Sequence, residues 1–422
     1  MRCWKKSEVS SIFSFTHFTL KRQLSLANGV SIILGLIIGS GIYITPQKML
    51  EHVKSPGLSL IYWGFGGLYT FIAAYCLTEV AIKYPVSGEK YAYMNILYGP
   101  YYAFFYIWQY LFLARPGSNA LKAIILGRYL LKPLFLNCDV PNLAVMLISS
   151  VFAFAISFLN CISVQLSAKF QGVLTFISVF SLVLLSSIGV YKLAKGEVEN
   201  LQNLFEGSST HPGHLILGFY STVFSFYGWS ALNFLIEELK NPLKNLPRAI
   251  VISVLFVSFF FVMVNLTFFL VLGREGVMQS EAVAISTAIE VFGDLGWIIS
   301  IMIAITSFSG FSSGIMVGSR LTMAGARNGH LPRILSYISI EFRTPIIALI
   351  FQCLLSLMYV WVLDVSAIIQ NVMFANFVVD FLVEIAYIKV RLKEKVDKPK
   401  FQVSRKKIND FQVGVDGFAS QM

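Results

Sequence analysis

Long apolar runs alternate along the chain with short polar segments, and each run is about as long as a bilayer is thick. A helix needs about 20 apolar residues to cross about 30 Å of hydrocarbon. Lipid cannot satisfy backbone groups, so only helices and closed barrels span it. Barrel strands would alternate apolar and polar residues. Here the runs are continuous, which predicts helices at residues 27–46, 57–82, 100–130, 141–160, 170–192, 214–236, 249–272, 292–318, 344–363 and 366–388. The second, third and eighth exceed what a crossing needs, which predicts tilt or extension beyond the bilayer. The pattern predicts an all-α polytopic protein with a ten-span core at 21–390, an N-terminal tail at 1–20 and a basic C-terminal tail at 391–422. Met1 to Thr19 has no apolar stretch followed by a cleavage site, so no signal peptide is expected.

Composition sharpens this picture. Of 422 residues, 56% are hydrophobic and 13% charged, against about 25% charged in a soluble domain. A soluble enzyme, a disordered chain and a coiled coil are excluded. The net charge of +11 belongs to cytoplasmic loops in such a protein and is not a nucleic-acid signal. With the N-terminus inside, ten spans return the C-terminus inside. Inner segments then hold Lys21, Arg22, Lys83, Lys90, Lys240, Lys244, Arg248, Arg320, Arg327 and Arg333, and the tail from Lys389 to Lys407 adds more. The outer loops hold few basic residues. Arg115, Lys122 and Arg128 fall inside the third span and count for neither side. The one sequon, Asn265-Leu-Thr267, lies inside the seventh span, so no glycan is expected. Of five cysteines, only Cys138 falls in an outer loop. A lone cysteine on the oxidising side is consistent with an intermolecular disulfide, a free thiol or an inert loop residue.

Two spans carry interruptions. The first contains Ile37-Ile-Gly39-Ser40-Gly41-Ile-Tyr43, and two glycines around a serine weaken a helix in mid-membrane. Taken alone, the motif fits a small-residue packing face as well as an unwound segment. The sixth contains Phe224-Ser-Phe-Tyr227-Gly228-Trp229, at the matching place if spans 1–5 and 6–10 are inverted repeats. Paired interruptions of this kind point to a transporter site. A half-helix N-terminus suits a carboxylate, and freed carbonyls suit an ammonium. A zwitterion with both groups is an α-amino acid.

These residues resemble the light subunits of heteromeric amino-acid transporters, in the amino acid–polyamine–organocation superfamily. The resemblance rests on Lys21-Arg22 before Asn28-Gly29-Val30, on Gly39 to Tyr43 with Pro46, and on Pro85-Val-Ser-Gly88 and Arg115-Pro116. It continues through Cys138 before Val140-Pro141, Asn233 to Pro242, Ser319-Arg320-Leu321 and Ala326 to Arg333. It covers roughly residues 20 to 403 and implies a LeuT-like fold with a 5+5 inverted repeat and broken spans 1 and 6. It further implies that N–H groups around Ser40 and Gly41 hold a substrate carboxylate. Carbonyls of Ile37 and near Phe224 and Tyr227 would hold the ammonium, with Phe224 as an aromatic gate. It implies sodium-independent exchange at the plasma membrane, and a disulfide from Cys138 to a single-pass type II glycoprotein heavy chain.

The chain departs from the family in places. Ser178 stands where the family has a lysine, seven residues after Gln171. Tyr227 replaces a small residue and is expected to narrow the pocket, on the same helical face as Phe224. Asp380 and Glu384 lie within the tenth span, where a charge normally faces protein or water. Glu384 is expected to snorkel towards Lys389 or Arg391. Asn376 stands where cystine/glutamate exchangers carry arginine, which favours neutral substrates. After Val403 the chain is polar, where relatives continue into two more spans. His211 and His214 are close in sequence but too few for a metal site. No catalytic constellation or cofactor motif is present. The expected function is neutral amino-acid exchange, with amino acids, the heavy chain and membrane lipid as partners. The alternative is a non-transporting short form that binds the heavy chain.

Overall fold

The computed structural model describes residues 22–39, 41–83, 89–135, 140–280, 282–339, 342, 344–362, 374, 376–385 and 388. The two tails, Ser40, Cys138, Lys389 and Arg391 lie outside the described residues.

Helix α1 (Leu26–Ile37) begins where Ser25 and Asn28 cap each other. Asn28 N–H donates to Ser25 Oγ at 3.3 Å, and Ser25 N–H donates to Asn28 Oδ1 at 3.1 Å. This reciprocal pair satisfies two of the free N–H groups at the start of a helix. The first span continues as α2 (Gly41–Val53). Then come α3 (Pro56–Lys83), α4 (Lys90–Tyr98), α5 (Pro100–Gln109), α6 (Arg115–Leu131), α7 (Asn142–Ile162) and α8 (Val164–Lys195). The second half holds α9 (Pro212–Phe226), a 3₁₀ segment Ala231–Glu238, α10 (Pro242–Gln279), α11 (Val283–Phe292), α12 (Trp297–Arg327) and α13 (Ile346–Val362). Of the tenth expected span, residues 374, 376–385 and 388 are described, as helix.

Seven helical stretches among the described residues are long and apolar enough to cross a membrane. The ninth expected span, α13, is 17 residues long and apolar. The eighth differs from the expected 292–318. It starts after the Gly293–Gly296 turn and runs from Trp297 to Arg327. The third is not one helix. Between α5 and α6 lies a π turn, Tyr110–Ala114, in which Arg115 N–H bonds the Tyr110 carbonyl five residues back. Pro116 follows directly. Its ring has no N–H and crowds the carbonyl four residues earlier, that of Phe112. The Tyr359 hydroxyl of α13 donates to that Phe112 carbonyl, so the group orphaned by proline is satisfied from a neighbouring span.

Four of the five spans of the first half pack on their counterparts in the second: α2 on α9, α3 on α10, α6 on α12 and α7 on α13, while α8 packs on α1, α10 and α12. Such pairing is what a repeat related by a two-fold axis produces. Outward faces stay apolar. On α3 the exposed large apolar residues are Ile61, Phe65, Leu68, Ile72 and Tyr75, and on α7 Leu143, Leu147, Val151, Phe154 and Phe158. Both series repeat every three to four residues, one stripe along a helix. A large apolar stripe facing outward is stable in lipid, which is as apolar as leucine. The sequon is closed off. Asn265 is buried inside α10, and its Nδ2 donates to the Phe261 carbonyl at 2.8 Å.

Candidate functional site

The first span breaks after Ile37. Ile38 N–H still bonds the Leu34 carbonyl at 2.7 Å, but Gly39 N–H turns to the Ile37 carbonyl, also at 2.7 Å. The helical acceptor of Gly39, the Gly35 carbonyl, is thereby released. The sixth span breaks after Phe226. Tyr227 N–H closes on the Phe224 carbonyl at 3.0 Å, Gly228 takes φ +121°, and the chain resumes as the 3₁₀ segment. A φ of that value is strained for any residue with a Cβ.

The two breaks lie against each other. A Cβ on Gly41 would stand 2.8 Å from Ser225 Cα, and one on Gly228 would stand 2.9 Å from Leu36 Cγ. Thr45 Oγ1 lies 2.6 Å from Ser225 Oγ and donates to the Gly41 carbonyl at 2.9 Å. Gly41 is therefore a close-packing position at the end of an unwound segment, so the two readings of the motif hold together. Ile37 and Gly41 are buried here, and Phe224 is half-buried against the core.

Tyr227 goes elsewhere. The shared face expected with Phe224 requires a helix through both, and α9 stops at Phe226 with Tyr227 extended at ψ 133°. Its ring lines a cleft with Tyr69, Lys90, Trp229, Asp380 and Glu384. Lys90 at the start of α4 pairs with Asp380 and lies 5.6 Å from the Trp229 ring centre. Glu384 accepts from the Tyr69 hydroxyl at 3.4 Å; its expected partners Lys389 and Arg391 lie outside the described residues. Asp380 thus belongs to an ion pair within the protein. The loop histidines lie together, His211 and His214 with ring centres 5.0 Å apart. Among the described residues no group of three or more His, Cys, Asp or Glu side chains could hold a metal ion.

Span 1 is flanked by a polar seam. On α8, Gln171, Thr175, Ser178 and Ser181 share one face. Thr175 Oγ1 donates to the Ser31 carbonyl at 2.9 Å, and Gln171 Nε2 donates to Ser309 Oγ of α12 at 2.6 Å. Ser181 Oγ lies 2.9 Å from the Tyr43 hydroxyl, on the far side of the break. Into this region α6 sends Lys122. It is buried, and its Nζ donates to the Gly310 carbonyl of α12 at 3.4 Å.

At the other end, Glu238 and Arg320 form a buried pair. Arg320 Nε donates to Glu238 Oε1 at 2.8 Å and its Nη2 to Oε2 at 3.3 Å. Gln23 and Leu24 N–H both donate to the Glu238 carbonyl at 2.9 Å, and Lys240 N–H returns a bond to Leu24 at 2.9 Å. The ends of both broken spans are thus clipped together. Sequence reading marked the motifs around Glu238 and Arg320 without pairing them, and left Lys122 unassigned. A lysine in mid-span that must face the protein interior was the signal available.

The fold has a solved counterpart. The crystal structure of MhsT in complex with L-phenylalanine superposes with TM-score 0.60 at 14% identity, over 85% of this chain and 89% of that one. At that identity only the fold is shared. In sequence, the chain is 34% identical over 357 residues to the cystine/glutamate transporter of Homo sapiens, covering 85% of this chain and 71% of that protein. It is 35% identical over 361 residues to the large neutral amino acids transporter small subunit 2 of Rattus norvegicus, covering 85% and 68%. The b(0,+)-type amino acid transporter 1 of Rattus norvegicus is 32% identical over 357 residues, covering 85% and 73%. The amino acid permease family matches residues 24–412. Together with the paired breaks, these matches place the chain in the amino acid permease family.

Proposed function

We propose that the chain carries neutral L-amino acids across the plasma membrane by sodium-independent exchange, without a chemical step on the substrate. The observation that carries this reading is the pair of abutting breaks in spans 1 and 6. A break offers free N–H groups to a carboxylate and free carbonyls to an ammonium. Ile37, Ser40, Gly41, Phe224 and the backbone of Tyr227 are the substrate-binding residues in this reading. The matched transporters' names, large neutral amino acids among them, support an amino-acid substrate. Asn376, buried with its Nδ2 unpartnered among the described residues, supplies no cation for an anionic side chain.

The chain works as the light subunit of a heterodimer, joined through Cys138 to a single-pass heavy chain, with both termini cytoplasmic. Uptake of labelled amino acids into vesicles, with and without a heavy chain, tests the transport reading. Exchange of neutral amino acids against internal amino acid, unaffected by sodium, is the expected result. Heavy-chain association with no uptake would leave a non-transporting partner instead. On a non-reducing gel, a band at the summed mass should vanish in Cys138→Ser. A wild-type chain that runs alone beside a co-expressed heavy chain would overturn the pairing.

A further inference from the structure

Lys122 is a buried ammonium at the break of the first span, and the transport reading gives it no task. Its aliphatic stem lies over Gly310, where a Cβ would stand 3.2 Å from Lys122 Cδ, and its Cε lies 3.5 Å from the Cβ position of Gly39. The Gly35 carbonyl, released by the turn at Gly39, lies 3.3 Å from the same Cβ position on Gly310. Among the described residues, the three donors of the ammonium thus have one protein acceptor, the Gly310 carbonyl at 3.4 Å. Among the described residues no carboxylate lies within ion-pair distance of Lys122. Ser307 and Ser313, about one turn either side of Gly310 on α12, hold buried hydroxyls without partners among the described residues.

An isolated buried cation is strongly disfavoured unless polar groups replace its water. The groups at hand are carbonyls of a broken helix and hydroxyls of the helix beside it. Where spanning helices unwind, such oxygens are what hold small monovalent cations. We propose that the Lys122 ammonium is a built-in cation that ties the break of the first span to α12, in the place where a free monovalent cation would otherwise bind. It is a positioning residue: it acts on the substrate through the shape of the break after Ile37. The proposal rests on the transport reading for its purpose, though not for its test.

The test begins with stability, which needs no transport. The full chain is purified with Lys122→Met, and melting is followed in sodium, lithium and choline chloride. Methionine keeps the volume and removes the charge, a change that buried sites often tolerate. Sodium or lithium should raise the melting temperature of the variant and leave the wild type unmoved, since a cation bound only by the folded state stabilises it. A variant with no cation-specific shift overturns the proposal. Uptake is read next, in proteoliposomes, with the labelled neutral amino acid that the wild type exchanges. Lys122→Met should lose about tenfold or more in choline, equal to about 1.4 kcal/mol, and recover in sodium. Ser178 sits on the α8 face between residues that touch α1 and Tyr43, so Ser178→Lys in the Lys122→Met background should restore cation-free exchange. A raised KM with no cation response would overturn the proposal and assign the ammonium to the substrate carboxylate. A silent wild type would sink the transport reading alone, because the melting arm still decides.

Discussion

The breaks in spans 1 and 6 occupy matching places but are made differently. In span 1 the interruption is short, and an α-helix resumes at Gly41. Its neighbours hold it by close packing and hydroxyl contacts. In span 6 the chain turns through a glycine at φ +121° and resumes as a 3₁₀ segment, with Leu235 off the helical angles. That segment is held at its end by a buried ion pair and by the strand-like contact of Leu24 with Leu239. One break is a gap in a helix, and the other is a change of helix type that depends on a distant anchor. The difference teaches that matching positions in a repeat do not imply equal tolerance to change.

The largest expected effect falls on that anchor. Arg320→Met leaves Glu238 buried without its partner and should lower stability by about 3–5 kcal/mol, read as the midpoint of denaturant or thermal unfolding. Adding Glu238→Gln should recover part of the loss, because the stranded charge is removed. A single variant as stable as the wild type would mean that span 6 does not lean on the pair. Next comes Gly228→Ala. The backbone angle alone costs a residue with a Cβ about 1–3 kcal/mol, and Leu36 lies in the way. Unfolding at wild-type stability would show that the break can relax.

Gly41→Ala follows at about 1–3 kcal/mol, the usual range for overpacking, because its nearest obstacle is the Ser225 backbone. Loss of uptake in this variant reports packing and substrate contact together. Gly39→Ala separates them. Its Cβ would meet nothing closer than 3.5 Å, so stability should move by less than about 0.5 kcal/mol. A larger loss would make the two halves of the motif equally packed and erase the contrast within span 1.

The breaks, the repeat and the all-helical character were legible because each is written in residue type. Glycine pairs weaken helices, and apolar runs measure membrane thickness. Tyr227 shows where that reasoning stops. Its pose was argued from helical spacing, and the spacing lost its meaning when α9 ended one residue earlier. Span 6 has a single glycine at its break, and a sequence shows that glycine without showing its φ. The pairs Glu238–Arg320 and Lys90–Asp380 join residues 82 and 290 positions apart. One chain without relatives beside it gives no hint of which charges meet at such separations. Lys122 was counted as a charge in a long span, yet the rule that such a charge faces inward would have marked it.

The π turn at Tyr110–Ala114 amounts to one residue more than an α-helix needs there. Each residue turns an α-helix by about 100°, so the turn acts as a phase shifter within the third span. Before it, Tyr101, Phe105 and Trp108 face outward; after it, Arg115, Asn119 and Lys122 are buried. Removing one residue from the turn would rotate α6 by about 100° against α5, carrying Lys122 off Gly310 without changing any side chain. The address of that ammonium is therefore set by chain length as well as by sequence, and a one-residue deletion here is a substitution at every position that follows in the helix.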